Sequence, residues 1–94
     1  MWLPKRKPQF DRSFIALPEP VKYEVGGFIR SLLANPYNAK IQDPRWTSLY
    51  SGDGKLATRL PSGYRVLWDI PDGSTIVLWD ILLPAAGPRS SPSP

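Results

Sequence analysis

The 94-residue sequence contains neither cysteine nor histidine. Without cysteine the chain has no disulfides, no thiolate nucleophile and no cysteine-ligated zinc site. Without histidine it lacks the commonest general base and the commonest metal ligand. We therefore expect no metal and no small-molecule cofactor, and any catalysis has to use Lys, Arg, Asp, Glu, Tyr or a hydroxyl group.

The sequence also lacks a long apolar segment. No stretch approaches the roughly 18 apolar residues that span a bilayer, and the basic residues Lys5-Arg6-Lys7 are not followed by the apolar run of a signal peptide. These features favour a cytoplasmic protein with no membrane partner. A chain of this length has room for one domain with one hydrophobic core.

Acidic residues are fewer than basic ones, with eight Asp and Glu against twelve Lys and Arg, so the net charge is +4. Such a surplus is typical of proteins that bind a polyanion, because contacts with phosphates supply much of the affinity for nucleic acids. The alternative interpretation is that a modest positive charge only aids solubility.

Proline is abundant, with twelve residues, and its distribution predicts the organisation of the chain. Residues 1–8 are basic and end in proline, which predicts a flexible arm. Residues 84–94 are rich in Pro and Ser and have no periodicity, which predicts a disordered tail. The folded domain is expected to comprise residues 9–83.

Two helices are predicted in the first half of this domain. The first spans residues 11–17, with Asp11 as its N-cap. The second opens at residues 18–20 and ends at Asn35, because the residue before a proline avoids the α conformation. Apolar residues recur in the second helix at helical spacing, which predicts one face packed on the core: Val21, Val25, Phe28, Ile29, Leu32 and Leu33.

The second half of the domain predicts an antiparallel sheet of three to four strands. The candidate strands are residues 46–50, 55–60, 64–70 and 75–83, separated by glycine-containing turns. Since the helices precede the strands, the expected fold class is α+β, with two N-terminal helices packed on one face of a twisted antiparallel sheet.

The turns predict which strand residues share a face of the sheet. A three-residue loop at 61–63, with Gly63 in the left-handed conformation, places Thr58 opposite Val66 on the apolar face.

A two-residue loop at 72–73 places Val66 opposite Trp79 on that same apolar face. Trp79, Trp68 and Trp46 are then expected in the core rather than as platforms for stacking bases.

These registers leave Lys55, Arg59 and Arg65 together on the other face, with Asp69 and Asp80 beside them. A basic cluster of this kind can bind a phosphodiester and stabilise the charge that develops as a bond breaks. The alternative interpretation is that Arg65–Asp80 and Lys55–Asp69 are ordinary cross-strand ion pairs. From the residues alone the two interpretations are equally supported.

Three segments carry a resemblance to a known family: FDRSF at residues 10–14, FIRSLLANP at residues 28–36 and LPSGYRVLWDI at residues 60–70. In this order, and over roughly residues 9–83, the chain resembles the RelE/ParE superfamily of type II toxins. The resemblance implies a RelE-like fold and a cognate antitoxin that binds the domain. In the RelE branch, which we favour, it implies a ribosome-dependent mRNA endonuclease; in the ParE branch it implies an inhibitor of DNA gyrase.

The resemblance also assigns candidate catalytic residues. Arg65, in the GYR motif, is the candidate for contact with the scissile phosphate, and Lys55 and Arg59 lie in the strand that supplies basic catalytic residues in the nuclease members. Those members usually carry a further basic residue at the end of the last strand and a Tyr or His after it. Here residues 81–88 read ILLPAAGP, so a non-enzymatic member, either a gyrase inhibitor or a degenerate antitoxin-binding protein, is the alternative.

Overall fold

The computed structural model describes residues 2–84. Two helices, α1 and α2, precede most of a five-stranded sheet, β1 to β5. The bounds are β1 Leu3–Arg6, α1 Pro8–Ile15, α2 Glu19–Ala34, β2 Thr47–Leu49, β3 Leu56–Arg59, β4 Arg65–Asp69 and β5 Thr75–Leu82. The strand order is β1-β5-β4-β3-β2, and β1 is parallel to β5 whereas the other pairs are antiparallel. The predicted α+β class is confirmed.

The fifth strand, β1, is absent from the sequence-based prediction. The Leu3 amide donates to Ser74 O, and the Lys7 amide donates to Leu78 O, each at 2.9 Å. The predicted flexible arm is therefore wrong for residues 3–8, and the folded domain begins before residue 9. All four side chains of β1 are exposed, so no apolar pattern marks this strand in the sequence. The predicted tail lies outside the described residues, except for Pro84.

Helix α1 begins three residues before the predicted position. Pro8 occupies its first turn, where a missing N–H has no cost. Asp11 is consequently not the N-cap. It lies in the first turn, where a carboxylate is favoured by the helix dipole, and its Oδ1 is 3.4 Å from Arg6 Nε. Phe10 of this helix is buried in the core.

Helix α2 confirms the predicted amphipathic pattern. Val21, Val25 and Leu32 are buried, and Phe28 and Ile29 pack beside them. Asn35 follows the helix with extended backbone angles, as the proline after it requires. Within residues 2–84, neither helix has the length and apolar character needed to cross a membrane.

The register of β3 with β4 confirms the prediction. Thr58 lies opposite Val66, and Gly63 in the connecting turn has a φ of 95°, which is a conformation that favours glycine. Val66 and Trp68 face the helices and are fully buried.

The predicted register of β4 with β5 is wrong. The carboxylate of Asp72 accepts hydrogen bonds from the amides of Ser74 and Thr75, each at 2.8 Å. This arrangement makes a longer loop than the two-residue turn, and Val66 pairs with Ile81 instead of Trp79. A β-bulge beside Leu67 and Trp68 then shifts the register by one residue.

The longer loop and the bulge together decide which β5 residues enter the core. Ile76, Leu78 and Ile81 belong to the core cluster, whereas Trp79 does not. The predicted position of Trp79 in the core is therefore wrong, and its ring is available to the opposite face of the sheet.

Candidate nucleic-acid interface

The face of the sheet that points away from the helices carries five cationic residues, which we call the basic face: Lys5, Lys7, Lys55, Arg59 and Arg65. Lys5 pairs with Val77 of β5, between the core residues Ile76 and Leu78, so it lies on the side opposite the core. The alternation of β3 and β4 likewise places Arg59 and Arg65 on the side opposite Thr58 and Val66.

Arg59 and Arg65 lie directly opposite each other on adjacent strands. Like charges in this arrangement destabilise a sheet. Arg65 is half-buried, and its Nε is buried without a hydrogen-bond partner among the described residues. Arg59 is exposed, and its guanidinium donates a hydrogen bond to Arg45 O at 3.5 Å. An anion that binds beside these two arginines would satisfy the Arg65 donor and relieve the repulsion.

Lys55 lies on the same face but its charge is partly neutralised. Its ammonium forms an ion pair with Asp53 and lies 4.4 Å from the centroid of the Trp79 ring. The hydrogen bond from Lys55, with a second from Ser51, lowers the pKa of Asp53 to about 2. Asp53 therefore stays ionised at neutral pH and holds the ammonium in place.

Lys7 is a basic-face residue that the sequence did not reveal. Its ammonium lies 4.7 Å from the centroid of the Trp79 ring, so two ammonium groups contact one indole. Such cation–π contacts orient lysine side chains that would otherwise be mobile. Sequence alone places Lys7 in a flexible arm, because its position in the sheet depends on the backbone pairing of β1.

The two predicted cross-strand ion pairs do not form. Arg65 lies opposite Leu82, and Asp80 Oδ1 instead accepts a hydrogen bond from Ser13 Oγ of α1 at 2.6 Å. Lys55 pairs with Asp53 rather than with Asp69, and Asp69 Oδ1 is buried without a partner in residues 2–84. The structure thus leaves the charge of Arg65 uncompensated by the acids proposed for it.

Trp46 borders the basic face immediately before β2. The amide of Arg59 donates to Trp46 O at 2.7 Å, and the Arg59 guanidinium carbon lies 5.0 Å from the centroid of the Trp46 ring. Trp46 is 41% exposed, so its predicted position in the core is wrong. Only the β2–β3 register, which the sequence did not specify, places this ring beside Arg59.

All three predicted site residues therefore lie on one face, together with Lys7, Trp46 and Trp79. In the described part of the chain no group of three or more acidic or other ligating side chains could hold a metal ion. What this face offers is a set of guanidinium and ammonium groups beside the exposed ring of Trp46 and the half-buried ring of Trp79, which suits a nucleic acid with accessible bases and phosphates.

No family model matches the chain, and a search of curated proteins finds no match either. The structure is similar to a chain in the crystal structure of the toxin–antitoxin complex RelBE2 from Mycobacterium tuberculosis. The TM-score is 0.64, the sequence identity is 20%, and the similarity covers 85% of this chain and 94% of that chain. This protein therefore has the RelE-like fold that its sequence motifs predicted.

Proposed function

We propose that this protein is the toxin of a type II toxin–antitoxin system and acts in the cytoplasm as a ribosome-dependent mRNA endonuclease. The observation that carries the proposal is the Arg59–Arg65 pair, in which two arginines lie opposite each other on adjacent strands and neither forms an ion pair among the described residues. A polyanion is the ligand that such a pair requires.

The proposed reaction is attack by an RNA 2′-hydroxyl on the adjacent phosphorus. The 2′-oxygen loses its proton and forms the new P–O bond, while the bond to the 5′-oxygen breaks and that oxygen takes up a proton. Arg65 and Arg59 would bind the phosphate and stabilise its charge in the transition state. Lys55 would position the RNA or assist proton transfer.

A cognate antitoxin is the second proposed partner. The RelE-like fold is shared with a chain of a toxin–antitoxin complex, and this supports a toxin role for the present chain. A small domain of 94 residues is also of the size that gains stability from a protein partner.

The proposal is tested by mRNA cleavage in a translating extract, mapped by primer extension, for the wild type and Arg65→Ala. We expect codon-phased cuts with the wild type and a loss of about 100-fold or more in the variant, the typical effect of removing one charge-stabilising donor. Arg30→Ala removes the same charge from an exposed position on α2 and should cleave as the wild type does. Intact mRNA with a folded wild-type protein would contradict the endonuclease.

A non-enzymatic member of the same fold is the second candidate. The observation that favours it is the end of β5, where Ile81 and Leu82 are followed by the exposed, apolar Leu83 rather than by a basic residue. Gyrase-dependent DNA breaks with the purified protein, together with intact mRNA, would assign it to the gyrase inhibitors. Antitoxin binding with neither activity would identify a degenerate toxin.

A further inference from the structure

A groove of about 500 Å³ lies on the helix side of the sheet, between α2, the segment that follows it and the end of β3, and it reaches the basic face only at Trp46 and Arg59. Its walls include Glu24 and Phe28 of α2, Asn38 and Ile41 of the following segment, and the Trp46–Arg59 pair. The volume is within the range of roughly 300–1,000 Å³ that is usual for sites that bind small organic groups. Ile41 is buried and Phe28 half-buried, so part of the lining is apolar and suits a flat ring.

Two polar side chains in this groove keep unused hydrogen-bonding capacity. Asn38 Oδ1 accepts a hydrogen bond from the Lys40 amide at 2.8 Å, and its NH₂ group has no partner among residues 2–84. Glu24 Oε1 accepts a hydrogen bond from the Ser62 amide at 3.2 Å, and its second oxygen has no partner in that range. An amide donor and a carboxylate acceptor are the groups that bind the edges of nucleobases.

The charges distinguish the ends of the groove. The Glu24 carboxylate lies on its α2 side and repels phosphate, whereas two cations attract it, Lys40 on the segment after α2 and Arg59 at the basic face. A nucleotide would therefore enter with its base in the groove and its phosphate towards the guanidinium groups.

The strand order sets the distance between Trp46, in the groove, and Arg65, on the basic face. Trp46, just before β2, is hydrogen-bonded through its backbone to Arg59 of β3, which lies opposite Arg65 of β4. Strands are about 4.8 Å apart, so the backbone of Trp46 is about 10 Å from that of Arg65. One nucleotide can bridge this distance between its phosphate and its base.

We propose that this groove binds one nucleobase of single-stranded RNA, stacked on Trp46, while the neighbouring phosphate lies between Arg59 and Arg65. The inference rests on the proposed function, since it assigns a base-binding site to the same substrate. It makes Trp46, Asn38 and Glu24 the residues that determine base preference, and Arg59 the link between the base and the phosphate.

The test is fluorescence anisotropy with the purified full chain and 5′-labelled RNA hexamers of each base, together with hexamers that carry one abasic nucleotide. Stacking on an aromatic side chain contributes enough affinity that Trp46→Ala should weaken binding of intact RNA roughly 5- to 100-fold. Trp46→Phe should retain most of the affinity. Tyr23→Ala removes an aromatic side chain that is 83% exposed on α2, outside the groove, and should bind as the wild type does.

The abasic RNA separates stacking from a general effect of the substitution. Wild-type protein should bind the abasic hexamer whose missing base would occupy the groove as weakly as Trp46→Ala binds intact RNA. Trp46→Ala should bind that abasic hexamer no more weakly than it binds intact RNA. A further loss of affinity when Trp46→Ala meets the abasic hexamer would overturn the base site, as would a folded Trp46→Phe variant, checked by circular dichroism, that binds as weakly as folded Trp46→Ala.

The outcomes also separate this inference from the proposed function. Trp46-dependent binding of bases without mRNA cleavage would refute the endonuclease and retain the base site. Cleavage that requires Arg65, combined with RNA binding that does not respond to Trp46→Ala, would retain the endonuclease and refute the base site. In that second case the groove would serve another ligand, such as a segment of the antitoxin.

Discussion

Polar side chains of β3, β4 and β5 differ in whether their hydrogen bonds are satisfied. In the core, Thr58 Oγ1 accepts a hydrogen bond from Trp68 Nε1 at 2.8 Å and shares another with Thr47 Oγ1 at 2.7 Å. On the basic face, Arg65 Nε and Trp79 Nε1 are buried and unpaired within the described residues. Since native proteins seldom leave such groups unpaired, these positions are where a ligand is expected.

The buried threonine network gives a prediction about stability. Thr58→Val keeps the shape of the side chain but leaves Trp68 Nε1 and the Thr47 hydroxyl without their partner. Leaving buried polar groups unsatisfied should lower the free energy of unfolding by about 2–3 kcal/mol, measured by urea denaturation. Thr47→Val leaves the Thr58–Trp68 bond intact and should cost about 1 kcal/mol. Equal decreases in the two variants would contradict the central position of Thr58.

Strand β1 is only four residues long, but it forms one edge of the sheet. Its four side chains are exposed, so it contributes backbone hydrogen bonds rather than buried apolar area. It also covers the edge of β5, the longest strand, and Pro4 and the basic residues beside it discourage further strands from pairing at the new edge. The same strand brings Lys5 and Lys7 to the basic face.

Deletion of residues 3–6, which are β1 alone, should therefore destabilise the protein, although a flexible arm could be removed without cost. The removal of several backbone hydrogen bonds predicts a decrease of roughly 2–4 kcal/mol in the free energy of unfolding. The uncovered edge of β5 should also increase self-association, as measured by light scattering. The matched control is Lys5→Ala with Arg6→Ala, which removes the same charges and retains the strand. A truncated protein as stable as this control would show that β1 does not contribute to the sheet.

At the scale of the whole molecule, the distribution of charge matters more than its sum. The net charge is +4, but five cations share one face of the sheet. Phosphate contacts on such a face should make RNA binding depend on salt concentration. The slope of log K against log salt concentration then reflects the number of phosphates that the protein neutralises.

Paired substitutions test whether the face or the total charge is responsible. Lys5→Gln with Lys7→Gln and Arg12→Gln with Arg30→Gln both reduce the net charge from +4 to +2, because each removes two positive charges. Only the first pair should reduce the slope of log K against log salt concentration, by roughly 0.7 for each phosphate of single-stranded RNA that the protein no longer neutralises. Equal changes in slope would mean that RNA binding follows overall charge and not the basic face.

The sequence by itself determined the features that depend on local order along the chain. The amphipathic spacing of α2 and the proline after Asn35 set that helix, and Gly63 set the turn that pairs β3 with β4. That one register was sufficient to place Lys55, Arg59 and Arg65 on the same face. Local periodicity and turn chemistry act over a few residues, so they can be recognised without knowledge of the tertiary structure.

Only the tertiary structure decided the features that depend on pairing between distant segments. The parallel pairing of β1 with β5 joins residues more than 70 positions apart and uses backbone groups, which every sequence possesses. The loop at Asp72 and the bulge between β4 and β5 moved Trp79 from the core to the basic face. The neighbouring positions of Trp46 and Arg59 likewise follow from the β2–β3 register. These contacts are long-range, and the energy that selects them is spread over the whole sheet rather than encoded in any short motif.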